Sequence, residues 1–510
     1  MIEHYSALWN AGRGPISPPQ SLRRLAGGLV LAASASRSSV ARDLPLGVLS
    51  PVSLSLNSTV NEDEVPLFAV DQVPPMRRLF PFALQHVLVM YAGAVAVPLV
   101  VGRAMHLSIE SLTLLISADL VAAGIATMIQ AFGLPGIGIR LPIMMGVTFS
   151  SVSPMLALID AAGPAPGAAM AMLPVIYGAV IVSGLFGLLI APFVGRLTRL
   201  FPPTVTGTVI LVIGLSLMRI AIDWAGGGQP SDPGYGAPSH LGIAFATLAV
   251  ILALLKWGRG LARNGAVLAG VIAGAALASL LGQTDFAPVA SAGWFAPVHP
   301  FQFGMPRFEL PISLAMCFVM IVTMIESFGM FLAAGTLVGR PATPDDLARG
   351  LRADALGTLI GGVFNTFPYT SFAQNIGLLS MTSVRSRYVC GLGGVILLAL
   401  GLCPKLAALV AALPISVLGG AGFMMFGMIA ATGIRILSTV ELTYARLATI
   451  AVSVALGLIP VLSDRFFQAM PAALAPLLHS GIVMASTAAV LANLFLGCDR
   501  ESQEDAPIHI

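Results

Sequence analysis

From Phe80 almost to Gly497 the chain is a near-continuous succession of apolar stretches, each about the 20 residues that cross the hydrocarbon core of a bilayer. In lipid no backbone N–H or C=O can be left bare, so such stretches must be helices; non-helical backbone is tolerated only where protein or a water-filled cavity covers it. Charged residues are 10% of the chain, far from the roughly 25% of a soluble domain. The expected fold is therefore an all-α polytopic membrane protein of about 14 spans. Their centres fall near Tyr91, Val121, Val152, Ser183, Ile213, Leu248, Ile272, Thr323, Gly357, Leu378, Ile396, Met424, Ser453 and Thr487. The segments around Val152, Gly357 and Leu378 are the weakest.

Net charge is only +3 and the basic residues are scattered, which excludes a nucleic-acid footprint and a polybasic lipid anchor. Charge instead orients the chain. With Arg77 and Arg78 cytoplasmic, the same side collects Arg140, Arg196, Arg199, Lys256, Arg259, Arg263, Arg340, Arg349, Arg352, Arg385, Arg387, Arg435, Arg446 and Arg500. The opposite loops hold only Arg103, Arg219, Arg307, Lys405 and Arg465. That bias predicts an even number of spans and both termini cytoplasmic; the expected location is the inner (plasma) membrane. Cys317, Cys390, Cys403 and Cys498 lie in or beside apolar runs without metal-ligand spacing, so they read as packing residues and neither a metal nor a disulfide is expected.

Residues 1–75 differ, being rich in Ser, Pro, Arg and Asn, and read as a disordered tail. The run RRLAGGLVLAASAS from Arg23 has the length of a signal-peptide core. Cleavage there would put the next amino end outside, against the charge bias. A start at Met76, which opens MRRLFPFALQHVLVMY, is the alternative.

Two weak segments occupy the third and tenth positions, equivalent places in two halves of about seven spans. LPIMMGVTFSS from Leu141 and FPYTSFAQN from Phe367 each run proline, a short extended piece, then Thr or Ser, Phe and small residues before a helical run. An odd number of spans per half inverts the second half, and paired short segments in an inverted repeat point to a transport site near the bilayer midplane.

A charge at a span centre costs on the order of 3 kcal/mol, so each one demands a reason. Glu326, in VTMIESFGMFLAAG, has no Lys or Arg within a helical turn; a lone carboxyl there can take up a proton or accept a hydrogen bond from a ligand N–H. Gln374 offers one acceptor and two donors, which match the adjacent C=O and N–H of a planar heterocycle. Asn375 suits either that task or helix-to-helix bonding. His86 reads as a structural histidine, holding Asn375. Asp354 stands near the cytoplasmic start of its span, where a helix amino end welcomes a carboxylate, and is equally a proton-relay candidate; Asp119 is similarly ambiguous. Phe149 opens the first-half break, where an aromatic face would stack on a flat base for roughly 1–3 kcal/mol. Nothing resembles an intramembrane enzyme: H-E-x-x-H and G-x-S-x-G are both absent, so no catalytic residue is assigned.

QHVLVMYAGAVAVPLVVG, IESFG, RAD and above all QNIGLLSMT resemble the nucleobase-ascorbate transporter family, also called nucleobase:cation symporter family 2. The resemblance runs from Phe80 to Gly497 and implies inverted repeats of about seven helices each, with a core domain sliding against a gate domain in a homodimer. Carried over, 80–202 and 309–405 would form the core, 203–300 and 406–497 the gate, and 498–510 a cytoplasmic tail. Glu326 and Gln374 would grip a base, Phe149 would stack on it and Ala373 would offer backbone. Asn375, His86 and Asp354 would support geometry or proton coupling, and Thr148 and Met330 would tune selectivity.

Within the family, GVTFSSVSPML and FNTFPYTSFAQNIGLLSMTSVRSRYV resemble the xanthine/uric acid permease branch rather than uracil permeases, which carry Glu where Gln374 stands. Met330 replaces an Asp common in xanthine-selective relatives and is similar to urate-preferring members. Ala355 and Ser383 depart from the usual family residues. The implied function is proton-coupled uptake of xanthine or uric acid, with the proton as coupling ion and no cofactor. The rivals are a pyrimidine permease of the same family and a passive anion channel.

Overall fold

The computed structural model describes residues 68–496 apart from 164–166, 231, 373, 374, 377, 380–383, 464, 472 and 473. Residues 1–67 of the expected tail, Ala373, Gln374 and Ser383 therefore lie outside the described residues; 68–75 are described and correct the expectation of disorder there, since Phe68 and Val70 are buried and Phe68 bridges to Val384. The helices are α1 (Met76–Ala104), α2 (Ile109–Phe132), α3 (Val152–Ala161), α4 (Leu173–Ile190), α5 (Pro203–Gly226), α6 (Pro238–Trp257), α7 (Ala266–Leu280), α8 (Leu310–Leu337), α9 (Pro344–Val363), α10 (Arg387–Gly401), α11 (Pro404–Ala411), α12 (Ile415–Leu437), α13 (Tyr444–Leu462) and α14 (Gly481–Leu496). Two strands, β1 (Met145–Val147) and β2 (Tyr369–Ser371), interrupt them.

Among the described residues eight helical stretches are long and apolar enough to cross a membrane: α1, α2, Met170–Arg196 around α4, α5, α6, α8, α12 and α13. α7 and α14 are apolar but shorter, and α10 with α11 is a pair bent by 79°. Each span centre expected from sequence falls in a helical residue, Val152 at the very start of α3 and Leu378 beside residues that are not described. The weak segment at Gly357 proves to be a continuous helix of 20 residues, α9; its charges come from Asp345, Asp346, Arg349, Arg352 and Asp354.

Local chemistry sets the ends. Thr343 caps α9 by accepting from Asp346 N–H at 3.2 Å while its own N–H donates to Asp346 Oδ2 at 3.1 Å, a reciprocal capping box. Because α9 starts at Pro344, Asp354 lies about three turns inside it. This corrects the expectation that Asp354 stands at a helix amino end: the cap is supplied by Thr343 and Asp346, and Asp354 is fully buried.

Small residues let backbones meet. A Cβ on Gly124 of α2 would stand 2.6 Å from Gly394 O of α10, and one on Gly394 would stand 2.8 Å from Gly124 O. This close approach replaces the hydrophobic drive that lipid cannot supply between helices. Two sets of helices pack chiefly within themselves: α1, α2, α4, α8, α9 and α10 in one, α5, α6, α7, α12, α13 and α14 in the other.

Candidate functional site

Both breaks run from proline into an extended piece, because the proline ring removes an N–H and disfavours helix in the residue before it. Asn365 ends the α9 segment with φ +65°, a conformation Asn tolerates better than most residues; its amide donates to His299 O at 2.8 Å. β1 and β2 then pair antiparallel, with Met145 opposite Ser371, Gly146 opposite Thr370 and Val147 opposite Tyr369. Beyond the strands, Thr148 N–H donates to Pro368 O at 2.8 Å. The two interruptions thus satisfy each other's backbone inside the helix bundle. Phe372 crosses the pair over Gly93 and Gly146, where a Cβ would strike its ring.

The polar side chains of the second break reach four different helices. Thr366 Oγ1 and Tyr369 OH donate to Asp119 Oδ1 of α2 at 2.9 and 2.8 Å. Thr370 Oγ1 lies 3.1 Å from Ser327 Oγ of α8. Ser371 Oγ donates to Asp354 Oδ1 of α9 at 3.3 Å. Asn375 Nδ2 donates to His86 O of α1 at 3.0 Å and lies 3.1 Å from His86 Nδ1. If that amide donates to the ring as well, Nδ1 is the acceptor and the imidazole proton sits on Nε2. All of Asp119, Asp354, Asn375, Thr366, Thr370 and Ser371 are buried.

Glu326 is half-buried and forms no hydrogen bond or ion pair with another described residue; it immediately precedes Ser327, which meets Thr370 of β2. An acid with a free end and partial access is available to a ligand N–H. Phe149, also half-buried, follows β1; its ring meets Phe426 of α12 edge to face with centroids 5.9 Å apart. Thr148 is buried and caps the turn carrying Phe149 by accepting from Ser150 N–H at 3.2 Å. Met330 lies one turn past Glu326 and packs, half-buried, on the core. The structure therefore places Thr148 and Phe149 on one break, Asn375 on the other with His86, and Glu326 with Asp354 beside the strand pair. A separate apolar cavity of about 40 Å³, lined by Tyr91, Leu99, Trp224 and Met425 among others, touches none of these residues.

Sequence reasoning missed Gln130, Ser327 and the acid-holding roles of Thr366, Tyr369 and Ser371. The signal for Gln130 was present: it is the single amide in the apolar run AGIATMIQAFG, and a lone amide in a span needs a partner.

Paired interruptions inside a multi-helix bundle, lined by buried acids and amides, define a multi-pass membrane permease. Residues 77–466 match the family designated Xan_ur_permease, described as a permease family, and the chain belongs to it, the nucleobase-ascorbate transporters. It is 48% identical over 450 residues to the uric acid transporter UacT of Escherichia coli strain K12, covering 88% of this chain and 92% of that protein. It is 43% identical over 423 residues to the uric acid permease PucJ of Bacillus subtilis strain 168, covering 82% and 92%, and 40% identical over 412 residues to the xanthine permease of the same strain, covering 81% and 92%. The fold is similar to the transmembrane domain of a cyanobacterial bicarbonate transporter, BicA, with TM-score 0.51 and 16% identity over 82% of this chain and 98% of that one. It is also similar to SLC26A9, with TM-score 0.56 and 12% identity over 84% and 66%. Family and relatives are transporters, not enzymes.

Proposed function

We propose that the chain imports an oxopurine, uric acid or xanthine, together with a proton across the inner membrane. The observation that carries this is the convergence at the β1–β2 pair of a free-ended acid, Glu326, an aromatic face, Phe149, and a second buried acid, Asp354, in a chain similar to uric acid and xanthine permeases. Glu326 accepts an N–H from the purine edge, Gln374 matches the neighbouring C=O and N–H, and Ala373 offers backbone. Phe149 stacks on the ring, while Thr148 and Met330 shape the rim. Asn375 and His86 hold the second break in register.

The two helix sets correspond to a core that carries the site and a gate against which it moves, in a fold of about 14 spans built from inverted repeats, dimeric and with both termini cytoplasmic. Asp354 carries the coupling proton. A proton moving with neutral xanthine carries net charge, so the membrane potential contributes about 2.3 kcal/mol per charge per 100 mV, whereas one proton moving with the urate monoanion carries none and is driven by the pH gradient. Net uphill movement further requires that base and proton bind the outward and inward states differently.

The test is uptake of labelled urate in a purine-transport-null strain, with unlabelled xanthine, urate and uracil as competitors. Urate and xanthine should compete and a protonophore should abolish accumulation. Effective competition by uracil alone refutes the substrate assignment, and accumulation that survives the protonophore refutes the coupling. Glu326→Gln should insert normally yet lose accumulation; wild-type uptake in that variant would remove Glu326 from the site.

A further inference from the structure

The carboxyl of Asp354 is held unevenly. Oδ1 accepts from Gln130 Nε2 of α2 at 3.1 Å and from Ser371 Oγ at 3.3 Å. Oδ2 has no hydrogen-bond partner among the described residues, although it is buried, and the Ser327 hydroxyl stands near the same carboxyl. Gln130 is itself fully buried and fully used: its Oε1 accepts Ile139 N–H at 3.0 Å, and its amide nitrogen has two oxygen acceptors, Gly350 O at 3.2 Å and Asp354 Oδ1, with the weaker acceptor Met145 Sδ at 3.7 Å.

That bonding fixes which way the amide faces. Flipped, Oε1 would confront Gly350 O and Asp354 while the NH2 group confronted a backbone donor, three mismatches in a dry place. The donor aimed at Asp354 is therefore dictated by Ile139 and Gly350. An ionised carboxylate accepts at both oxygens, whereas a neutral acid keeps one acceptor and gains one O–H. With Oδ1 holding both donors, a proton can come and go at Oδ2 while the bonds to Gln130 and Ser371 stay in place.

We propose that Gln130 is a positioning residue for proton coupling: by holding Asp354 Oδ1 from α2, it leaves Oδ2 as the oxygen that binds and releases the transported proton. This rests on the assignment of Asp354 as the coupling acid. Titratable and charged groups on the elements packed around α9 are Glu110 and Asp119 on α2, Tyr177 on α4, Cys317 and Glu326 on α8 and Tyr369 on β2; α9 itself adds Asp345, Asp346, Arg349 and Arg352. Asp119 and Tyr369 are occupied with each other, and Glu326 immediately precedes Ser327, whose hydroxyl lies 3.1 Å from Thr370 Oγ1 of the second break.

Two variants separate the donor from the fold. Gln130→Glu keeps an acceptor for Ile139 N–H and loses the amide hydrogens; Gln130→Met loses both. Proteoliposomes holding each full-length variant are assayed for labelled-urate accumulation under an imposed pH gradient, across external pH, and for urate counterflow, which needs no net proton movement. The expected result is a displaced pH dependence and accumulation reduced roughly tenfold or more, with counterflow reduced much less.

Superimposable pH profiles for Gln130→Glu and wild type overturn the proposal. So does equal loss of counterflow and accumulation, or failure of both variants to insert, since Gln130 would then be a packing residue. Asp354→Asn distinguishes the underlying assignment. If that variant still accumulates urate with wild-type pH dependence, the coupling role of Asp354 fails and this inference with it. If it abolishes accumulation while the Gln130 variants behave as wild type, this inference alone fails.

Discussion

Replacing Tyr369 by Phe removes one oxygen and nothing else from a fully buried ring. The Tyr369 hydroxyl lies 2.8 Å from both Asp119 Oδ1 and Asp119 O, so its one hydrogen is shared between them. Losing it leaves Thr366 as the sole donor to a carboxyl whose Oδ2 already has no partner among the described residues. A hydrogen bond to an ionised group contributes about 1.5–3 kcal/mol and one to a neutral group about 0.5–1.5 kcal/mol, so Tyr369→Phe should destabilise by about 1–3 kcal/mol without opening a cavity. Asp119→Ala should cost more, because it strands the buried Thr366 hydroxyl and leaves Tyr369 only the backbone oxygen of residue 119. In the Asp119→Ala background Tyr369→Phe should then cost less than in the wild type, about 0.5–1.5 kcal/mol, since only the bond to the backbone oxygen of residue 119 remains to be lost. Equilibrium unfolding of the four proteins in mixed micelles with increasing SDS measures the cycle. If Tyr369→Phe unfolds with the wild type, or costs the same with and without Asp119, the second break is not tied to α2 through this acid.

Gly394→Val should destabilise by at least the 1–3 kcal/mol typical of overpacking, because its Cβ would meet the α2 backbone at Gly124 O; a wild-type melting temperature would contradict the backbone contact. Asp71→Asn should cost no more than about 1 kcal/mol, its side chain being 64% exposed in the ion pair with Arg387. Arg387→Met should cost clearly more, since Arg387 also donates to Ala131 O and Phe132 O and lies over the Tyr388 ring; equal effects in the same unfolding assay would refute that ranking. Met330→Asp should improve xanthine uptake relative to urate, and an unchanged preference in competition assays would detach Met330 from selectivity.

Much of the site was legible because membrane burial makes polar residues conspicuous. Glu326, Asp354, His86 and Asn375 stand out against apolar neighbours, and the two prolines mark where a helix cannot continue. Gln130 was overlooked although equally polar, since amides in spans commonly serve as glue between helices. Asp354 was misplaced by sequence alone: a span centred near Gly357 by hydropathy puts it at the start, whereas the polar first turns from Pro344, capped by Thr343 with Asp346, carry it inside the helix.

The amino-acid order by itself determined that the chain enters a membrane as helices, where those helices lie, that two of them are broken at matching places, and which side chains are too costly to be idle. Those properties follow from hydropathy, proline geometry and capping, all local in sequence. Only the tertiary structure decided that β1 meets β2 in one register, that Thr366 and Tyr369 fall on Asp119 while Ser371 falls on Asp354, and that Gln130 reaches Asp354 across 224 residues of chain. Such partnerships depend on how close Gly124 lets α2 approach α10 and on which strand residue faces which helix. Hydrogen bonds of about 3 Å length cannot be read from spacing along the chain.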